Sequence, residues 1–319
     1  MFRGFDVSDK GQKKQKVVFV GGYGRSGSTI IDLLLNRVPG VIAVGEFRHL
    51  FGRALTDNEL CSCGHKFRDC PFWKKIIKEA FPDGYDAERI QRAVRHFNRL
   101  AMLPKIRRED RLSADEQADA KLYREAFAAA YRAVAKVSGA EVIVDSTKYP
   151  MHGWFLSTMP EIDLSVMLLV RDPRAVAYSW QRKRLRPEIW WEEREMPRYS
   201  LARSALAWDV SNRLTAELEP FAADYRVQRY EDFIADPAGE LADIASFVLG
   251  RTVELPADLF DRQPHLPHTI AGNPVRIGSE HVKVKEDNEW KHMPAAGRLL
   301  ISGLSAPQMV QYDYPLIKT

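Results

Sequence analysis

Residues 17–35 have the sequence VVFVGGYGRSGSTIIDLLL, and this stretch decides the fold. Its apolar, mostly β-branched start predicts a buried strand, the glycines predict a tight turn, and the second apolar run predicts a helix. Glycines let backbone amides approach a ligand closely, and a helix N-terminus attracts negative charge. Arg25, Ser28 and Thr29 add a cation and two hydroxyl groups to this turn. The stretch therefore predicts a binding site for a phosphate-like anion.

The composition is that of an ordinary globular protein of 319 residues. Hydrophobic residues make up 45% of the chain and charged residues 28%, so the chain can bury a sizeable core. A net charge of +4 suits an anionic ligand but is too small to indicate nucleic-acid binding. No apolar run approaches the roughly 20 residues that span a membrane, and the polar N-terminus lacks an apolar signal segment. We therefore expect a cytoplasmic protein, and the sequence gives no indication of its oligomeric state.

Short apolar runs separated by helical patterns predict a parallel sheet. After the first strand, the predicted strands are 41–44, 141–145, 164–170 and 225–230, and two or three helices are predicted within 86–136. The predicted fold is a single P-loop-like α/β domain, residues 16–319, with a central, mostly parallel β-sheet flanked by helices. A flexible basic segment, 1–15, precedes it, and 60–140 and 184–210 are predicted to be helical insertions.

Charged residues follow several of the predicted strands directly. Arg25, Glu46 and Arg171 each lie just beyond a strand end, and Asp145 and Lys148 lie at the end of another. In open α/β sheets, ligands bind at the carboxyl ends of the strands. We therefore expect these side chains to form one functional site.

Residues 22–29 match the P-loop pattern G-x-x-x-x-G-K-[ST] at every position except one. Ser28 stands where the pattern has the lysine that reaches the terminal phosphates. Asp145, at the end of a buried strand, has the position of the metal-binding aspartate of P-loop enzymes. Many buried strands end in an aspartate by chance, however, so this match is weak. A nucleotide-dependent kinase is therefore the second hypothesis.

Residues 170–180, VRDPRAVAYSW, contain a second candidate phosphate site. A strand ends at Arg171, Pro173 starts a helix, and Ser179 lies two turns further on. Arg171 and Ser179 can then bind one phosphate through a charge-assisted bond and a hydroxyl group. The alternative is an ordinary helix start, capped by Asp172.

Together the two segments resemble the sulfotransferases that use 3′-phosphoadenosine 5′-phosphosulfate (PAPS) as donor and release 3′-phosphoadenosine 5′-phosphate (PAP). In that family the first loop holds the 5′-phosphosulfate, and an arginine with a serine eight residues later holds the 3′-phosphate. The loop and Glu46 look most like the tyrosylprotein branch, in which an equivalent glutamate is the catalytic base. For this chain the resemblance implies donor binding by Gly24, Arg25, Ser26, Gly27, Ser28, Thr29, Arg171 and Ser179.

The resemblance extends over residues 16–295, in the form seen in bacterial members. Lys183 matches a residue that also meets the 3′-phosphate, and Tyr230 matches a tyrosine near the adenine. Residues 271–276 and 288–291 resemble a loop that closes over the nucleotide. The residues of this loop that are implied to bind the donor are Gly272, Asn273, Arg276, Trp290 and Lys291.

Sulfuryl transfer needs cations around the moving group and a base for the acceptor proton. Arg25 is the expected catalytic cation, and Lys148 is a second candidate whose alternative is a solvated turn lysine. Glu46 is the expected base, although pairing with Arg25 or Arg48 is a structural alternative. Its pKa would need raising by burial for it to work near neutral pH. Four histidines are other candidate bases: His49, His152, His265 and His268.

The reaction implied by the resemblance requires no metal. Its acceptor is expected to be a hydroxyl or amine of a small molecule, glycan or lipid, bound partly by 60–140 and 184–210. Trp190 and Trp191 are candidates for an acceptor lid, but a helix packed on the domain is favoured. A non-catalytic nucleotide-binding module of the same fold is the third hypothesis.

Three cysteines lie close together in the sequence CSCGHKFRDC, residues 61–70. With His65 they supply four zinc ligands of plausible type. Their spacing is not that of an established zinc motif, so a surface loop with ordinary thiols is favoured over a metal site.

Overall fold

In the computed structural model, the described residues are 14–256, 258–260, 267–277 and 287–316. Within them, five parallel strands form one sheet in the order β2-β3-β1-β4-β5. The strands are β1 (Gln15–Gly22), β2 (Val41–Gly45), β3 (Val142–Lys148), β4 (Ile162–Val170) and β5 (Asp224–Arg229). The parallel α/β fold predicted from the sequence is confirmed. The expected flexible segment falls mainly on residues 1–13, which lie outside the described part of the chain.

Helices connect the strands and cover both faces of the sheet. They are α1 (Ser28–Leu35), α2 (Pro71–Ala80), α3 (Ala87–Phe97), α4 (Leu103–Ile106), α5 (Ala114–Ser138), α6 (Pro150–Leu156), α7 (Pro173–Gln181), α8 (Leu201–Ala216), α9 (Tyr230–Ala235), α10 (Pro237–Leu249) and α11 (Ala295–Gln311). In the described part of the chain, no helix is both long and apolar enough to span a membrane.

The central strand β1 is buried on both faces, as its continuous apolar sequence predicts. Val17 and Phe19 face a large core that includes residues of α2, α3, α5 and α6. Val18 and Val20 face the opposite core, which is formed with α1 and α10. Alternate side chains of a strand point to opposite faces, so one run of four apolar residues anchors both layers. The glycine turn that follows β1 is therefore held on a rigid base.

Strand β3 continues three residues beyond its predicted end at Asp145. Lys148 pairs with Gly21 of β1, after an irregularity in the register that follows the pairing of Phe19 with Asp145. This irregularity lets the strand continue beside the glycine turn. Lys148 is consequently the last residue of the strand and has a left-handed φ of 63°.

The predicted helical insertion at 184–210 is only partly helical. Residues 182–200, all of which are described, contain no helix, and α8 begins at Leu201. Pro187 and Pro197 interrupt this stretch, because proline lacks the amide that a helix needs. Trp190 and Trp191 are 45% and 44% exposed, so the expected helix with packed tryptophans is wrong.

Candidate active site at the carboxyl edge of the sheet

The glycine turn lies between β1 and α1, at the carboxyl edge of the sheet. Gly27 is the N-cap of α1 and has a φ of 95°. A Cβ atom there would lie 2.3 Å from two ring carbons of Tyr230, so both the backbone angle and the close contact require glycine. The uncapped first turn of α1 directs its backbone amides into the loop, where they are available to an anion.

Arg25 has a buried guanidinium group that is only partly satisfied. Its Nη2 lies 2.8 Å from the sulfur of Met196, and its Cζ lies 4.7 Å from the centre of the Trp180 ring. Its Nε and Nη1 are buried and have no hydrogen-bond partner among the described residues. Burial, with a smaller contribution from Arg184, lowers the pKa of Arg25 to about 10, so the side chain stays charged at neutral pH. Unpaired buried donors on a cation fit an anionic ligand.

Lys148 connects the glycine turn to Glu46. Its Nζ lies 3.0 Å from Glu46 Oε1 and donates hydrogen bonds to Ser28 Oγ, at 3.0 Å, and to the Ser146 carbonyl, at 2.8 Å. The side chain is 11% exposed, so the alternative of a solvated turn lysine is wrong. The end of β3 thus places a cation directly beside the loop.

Glu46 follows β2, and its carboxylate is 18% exposed. Burial favours a higher pKa, but Lys148 and His49 outweigh it and hold the pKa of Glu46 well below its ordinary value. His49 Nε2 lies 3.5 Å from Glu46 Oε2. The raised pKa that Glu46 would need as a base near neutral pH is therefore absent in this state, because a cation lies against the carboxylate. Glu46 is ionised at neutral pH and can accept a proton.

The candidate histidine bases have different surroundings. Burial, followed by repulsion from Arg48, lowers the pKa of His49 to about 3, which makes it a weak base. His152 is completely buried and pairs with Asp145 at 2.9 Å, so it is inaccessible to an acceptor. His268 lies among cysteines. His265 lies outside the described residues.

Arg171 belongs to a second cationic cluster, where β4 ends. Its guanidinium lies 4.6 Å from the Tyr230 ring centre and donates a hydrogen bond of 3.0 Å to the Arg25 carbonyl. Asp287 lies 3.4 Å from Arg171 and 3.0 Å from Arg182. A carboxylate that pairs with two arginines occupies a position suited to a phosphate group.

Ser179 and Lys183 differ in how well they fit this second cluster. Ser179 is buried on α7, in the third turn after Arg171. Lys183 is 71% exposed and lies 2.7 Å from Glu195. The resemblance implied that Lys183 lies beside Arg171, but Lys183 pairs with Glu195 instead. Arg182 is the residue that shares the Asp287 carboxylate with Arg171.

The segment 267–277 crosses the edge of the sheet beside Glu46. Ile270 continues the strand pairing, since Glu46 N donates to its carbonyl at 2.8 Å. Gly272 has a φ of 103°, and a Cβ there would lie 3.9 Å from Glu46 Oε1. Asn273 N donates to Thr29 Oγ1 at 3.4 Å. The segment thus forms one wall of a narrow cleft, whose other lining residues include Asp32 and Lys148.

Of the three other residues implied to bind the donor, two have mainly structural contacts here and one is exposed. Arg276 is buried and donates to the carbonyls of Thr269 and Leu60, at 2.8 and 3.0 Å. Trp290 is buried 4.8 Å from the Arg174 guanidinium. Lys291 is exposed on the same turn. Arg276 thus stabilises the segment that forms the cleft wall, and Trp290 packs the turn 289–292 against α7.

Two site residues were missed by the sequence analysis. Asp32 lies on α1 and accepts a hydrogen bond of 2.5 Å from Ser146, and burial raises its pKa to about 7. Its place inside an apolar helix, in the run IIDLLL, was the available signal. Arg182 had no such signal. It is one of three consecutive basic residues, 182–184, and only the fold shows which of them lies near Arg171.

Comparisons with known proteins identify the family and the fold. A family model described as "Sulfotransferase family" matches residues 17–250. The sulfotransferase domain from the Synechococcus PCC 7002 olefin synthase shares the fold, with a TM-score of 0.52 and 20% identity, over 97% of this chain and 99% of that chain.

More distant similarity is found to two other bacterial structures. A sulfotransferase from Alicyclobacillus acidocaldarius has a TM-score of 0.39 and 16% identity, over 93% of each chain. Sulfotransferase STF9 from Mycobacterium avium has a TM-score of 0.45 and 12% identity, over 95% of this chain and 78% of that chain. No curated protein matches the chain in sequence.

Proposed function

This chain belongs to the sulfotransferase family, and we propose that it transfers the sulfuryl group of PAPS to a hydroxyl or amine of a small-molecule, glycan or lipid acceptor. The observation that carries the proposal is the pair of cations beside the glycine turn. Two buried guanidinium nitrogens of Arg25, Nε and Nη1, have no hydrogen-bond partner in the part of the chain that the structure describes, and Lys148 lies between Ser28 and Glu46. Arg25 belongs to the glycine turn itself, and Lys148 contacts Ser28 at the start of α1, where a helix N-terminus already favours an anion.

The donor supplies a sulfuryl group joined to a phosphate. The amides of 24–29 and the hydroxyls of Ser28 and Thr29 hold the 5′-phosphate. Arg25 and Lys148 stabilise the negative charge that develops on the bridging oxygen and on the transferred group. Cations fixed in a buried site act more strongly than they would in water.

Glu46 removes the proton from the acceptor. In the structure its carboxylate is paired with Lys148 at 3.0 Å. An anionic donor also attracts Lys148, and this weakens the ion pair between Lys148 and Glu46. Donor binding therefore raises the pKa of Glu46 towards the range of an effective base. His49 is then an orienting neighbour rather than the base.

The cluster around Arg171 binds the 3′-phosphate of the donor. Arg171 and Arg182 already share the carboxylate of Asp287, which a phosphate would replace. Tyr230 packs below Arg171 and against Gly27, so it lies between the two phosphate sites. This position suits the nucleoside that joins them.

A P-loop kinase fits these residues less well. Such an enzyme takes its phosphate-binding lysine from the loop itself, where this chain has Ser28. Here the corresponding cation comes from another strand, through Lys148. A non-catalytic nucleotide-binding module would have no use for Glu46 at the same cleft.

Transfer of label from ³⁵S-PAPS tests the function. The wild-type chain should label at least one member of a panel containing aryl alcohols, saccharides, lipid precursors and tyrosyl peptides, and should release PAP in equal amount. Arg25→Ala should label none of them. A chain that binds PAP but transfers no label to any acceptor class would instead support the non-catalytic module.

A further inference from the structure

The cysteine loop meets a histidine from a distant part of the chain. One ligand atom each from Cys61, Cys63, Cys70 and His268 lies within 4.8 Å of all the others. His268 Nδ1 is 3.3 Å from Cys70 Sγ and 3.8 Å from Cys61 Sγ, and the sulfurs of Cys63 and Cys70 are 3.6 Å apart. A zinc tetrahedron with Zn–S of about 2.3 Å and Zn–N of about 2.0 Å has edges of about 3.5–3.8 Å. These three distances are therefore close to the edges of a zinc tetrahedron, and the other ligand atoms need to approach one another by at most about 1 Å.

The local backbone holds the three thiols in a compact turn. Leu60 pairs with Lys66 in an antiparallel bridge, and Cys61 N donates to the His65 carbonyl at 2.9 Å. Gly64 has a φ of 85°, which permits the tight turn directly after Cys63. Helix α2 starts immediately after Cys70, so its N-terminus favours a thiolate at that position.

The imidazole is held in place by its own neighbours. The ring of Phe72 stacks on His268, with centroids 4.5 Å apart and an angle of 11° between the planes. Trp73 Nε1 donates to the His268 carbonyl at 3.0 Å. These two contacts fix the plane of the His268 ring and the position of its backbone.

We propose that Cys61, Cys63, Cys70 and His268 bind a structural zinc ion. Three thiolates and one neutral imidazole match the tetrahedral ligand set that zinc prefers and that hard cations avoid. Binding replaces three S–H bonds with Zn–S bonds and releases up to three protons, with no change of oxidation state. Four protein ligands close the coordination sphere, so the ion has a structural role and takes no part in the reaction.

The zinc ion joins the loop 61–70 to the wall of the candidate active site. His268 stands two residues before Ile270, which pairs with β2 beside Glu46. Ser62 reinforces the same junction, because Thr269 N donates to its hydroxyl at 2.8 Å. The ion therefore fixes the segment 267–277 at a point next to Glu46. This inference does not depend on the identity of the sulfuryl donor.

Metal analysis of the purified full chain tests the proposal. We expect about one zinc ion per chain, as for other closed four-ligand sites. Cys70→Ser and His268→Gln should each lose most of this zinc. His65→Gln is the matched control: His65 lies 3.5 Å from Cys63 Sγ but outside the four-ligand cluster, so this variant should keep its zinc.

A second measurement uses only the wild-type chain, so its result does not depend on whether the variants fold. Titration with a mercurial thiol reagent in the presence of a chromophoric chelator should release zinc in step with thiol modification. Zinc-free protein whose three thiols all react freely would overturn the proposal. So would a disulfide between Cys63 and Cys70, iron with inorganic sulfide, or zinc that is retained in His268→Gln and lost in His65→Gln.

Discussion

Glu46 shows how a neighbouring cation sets the state of the proposed base. Burial alone favours a protonated carboxyl group, but Lys148 at 3.0 Å keeps Glu46 ionised. A carboxylate held in this way accepts a proton poorly until the cation has another partner. In the proposed reaction, the donor phosphosulfate provides that partner. The base is therefore coupled to donor binding through Lys148.

Replacing Glu46 with glutamine should separate binding from turnover. We expect Glu46→Gln to lower kcat by about 10²–10⁴-fold, the usual contribution of a general base, because glutamine cannot accept the acceptor proton. The affinity for PAP, measured by calorimetry, should stay the same or increase, because Lys148 is released from its carboxylate partner. His49→Gln is the control and should keep kcat within about tenfold of the wild type. A large loss in His49→Gln with little loss in Glu46→Gln would assign the base to His49.

Single residues differ in how far the sequence could predict them. Arg25 and Glu46 each follow a strand and Lys148 ends one, and parallel strand ends meet at one edge, so the sequence predicted that they meet there. Their charge states were not predictable, because these depend on distances of a few ångströms across the chain. The ligand His268 was missed for a similar reason, since it lies 198 residues from Cys70 in the sequence.

At the scale of elements, β4 and α7 together build the proposed 3′-phosphate site. The strand end presents Arg171, and the helix carries Ser179 and leads to Arg182. Asp287 now pairs with both arginines. The Asp287 carboxylate and the 3′-phosphate of the donor should therefore compete for Arg171 and Arg182.

Substitutions in this unit should change PAP affinity in opposite directions. Arg171→Ala should weaken binding by about 1.5–3 kcal/mol, through loss of a charge-assisted contact. Asp287→Asn should tighten binding several-fold, because it removes the competing charge. Calorimetric titration measures both effects. The matched control is Lys183→Ala, whose exposed ammonium pairs with Glu195, and it should leave the affinity unchanged. Equal losses in Arg171→Ala and Lys183→Ala would contradict this assignment.

The sequence predicted the regular elements better than the irregular ones. Apolar strands separated by helical patterns have clear periodicity, and all five predicted strands are present. The stretch 182–200 has no such periodicity, and its structure depends on ion pairs between distant residues. Arg186, for example, pairs with Glu59 at 2.8 Å, and Glu188 pairs with Arg53 at 2.9 Å. Sequence patterns do not carry such long-range pairings.

At the scale of the whole molecule, the proposed catalytic and donor-binding residues lie along one edge of the sheet. β1 supplies the glycine turn, β2 supplies Glu46, β3 supplies Lys148 and β4 supplies Arg171. The fold was predictable because both faces of the sheet are buried against helices, and this leaves a strong apolar pattern. Within the segment 267–277, only residues 271–276 were linked to the site from the sequence, and only through the resemblance, since the segment has little periodic pattern of its own.

The central claim is that this edge binds an adenosine with phosphate groups at its 3′ and 5′ positions, rather than a nucleoside triphosphate with magnesium. Calorimetric titration of the full chain with PAP, and separately with ATP and magnesium, tests it most directly. We predict that PAP binds without magnesium and at least tenfold more tightly than ATP with magnesium, because the Arg171 cluster recognises a phosphate that ATP does not have. Tighter binding of ATP, with a requirement for magnesium, would contradict the account.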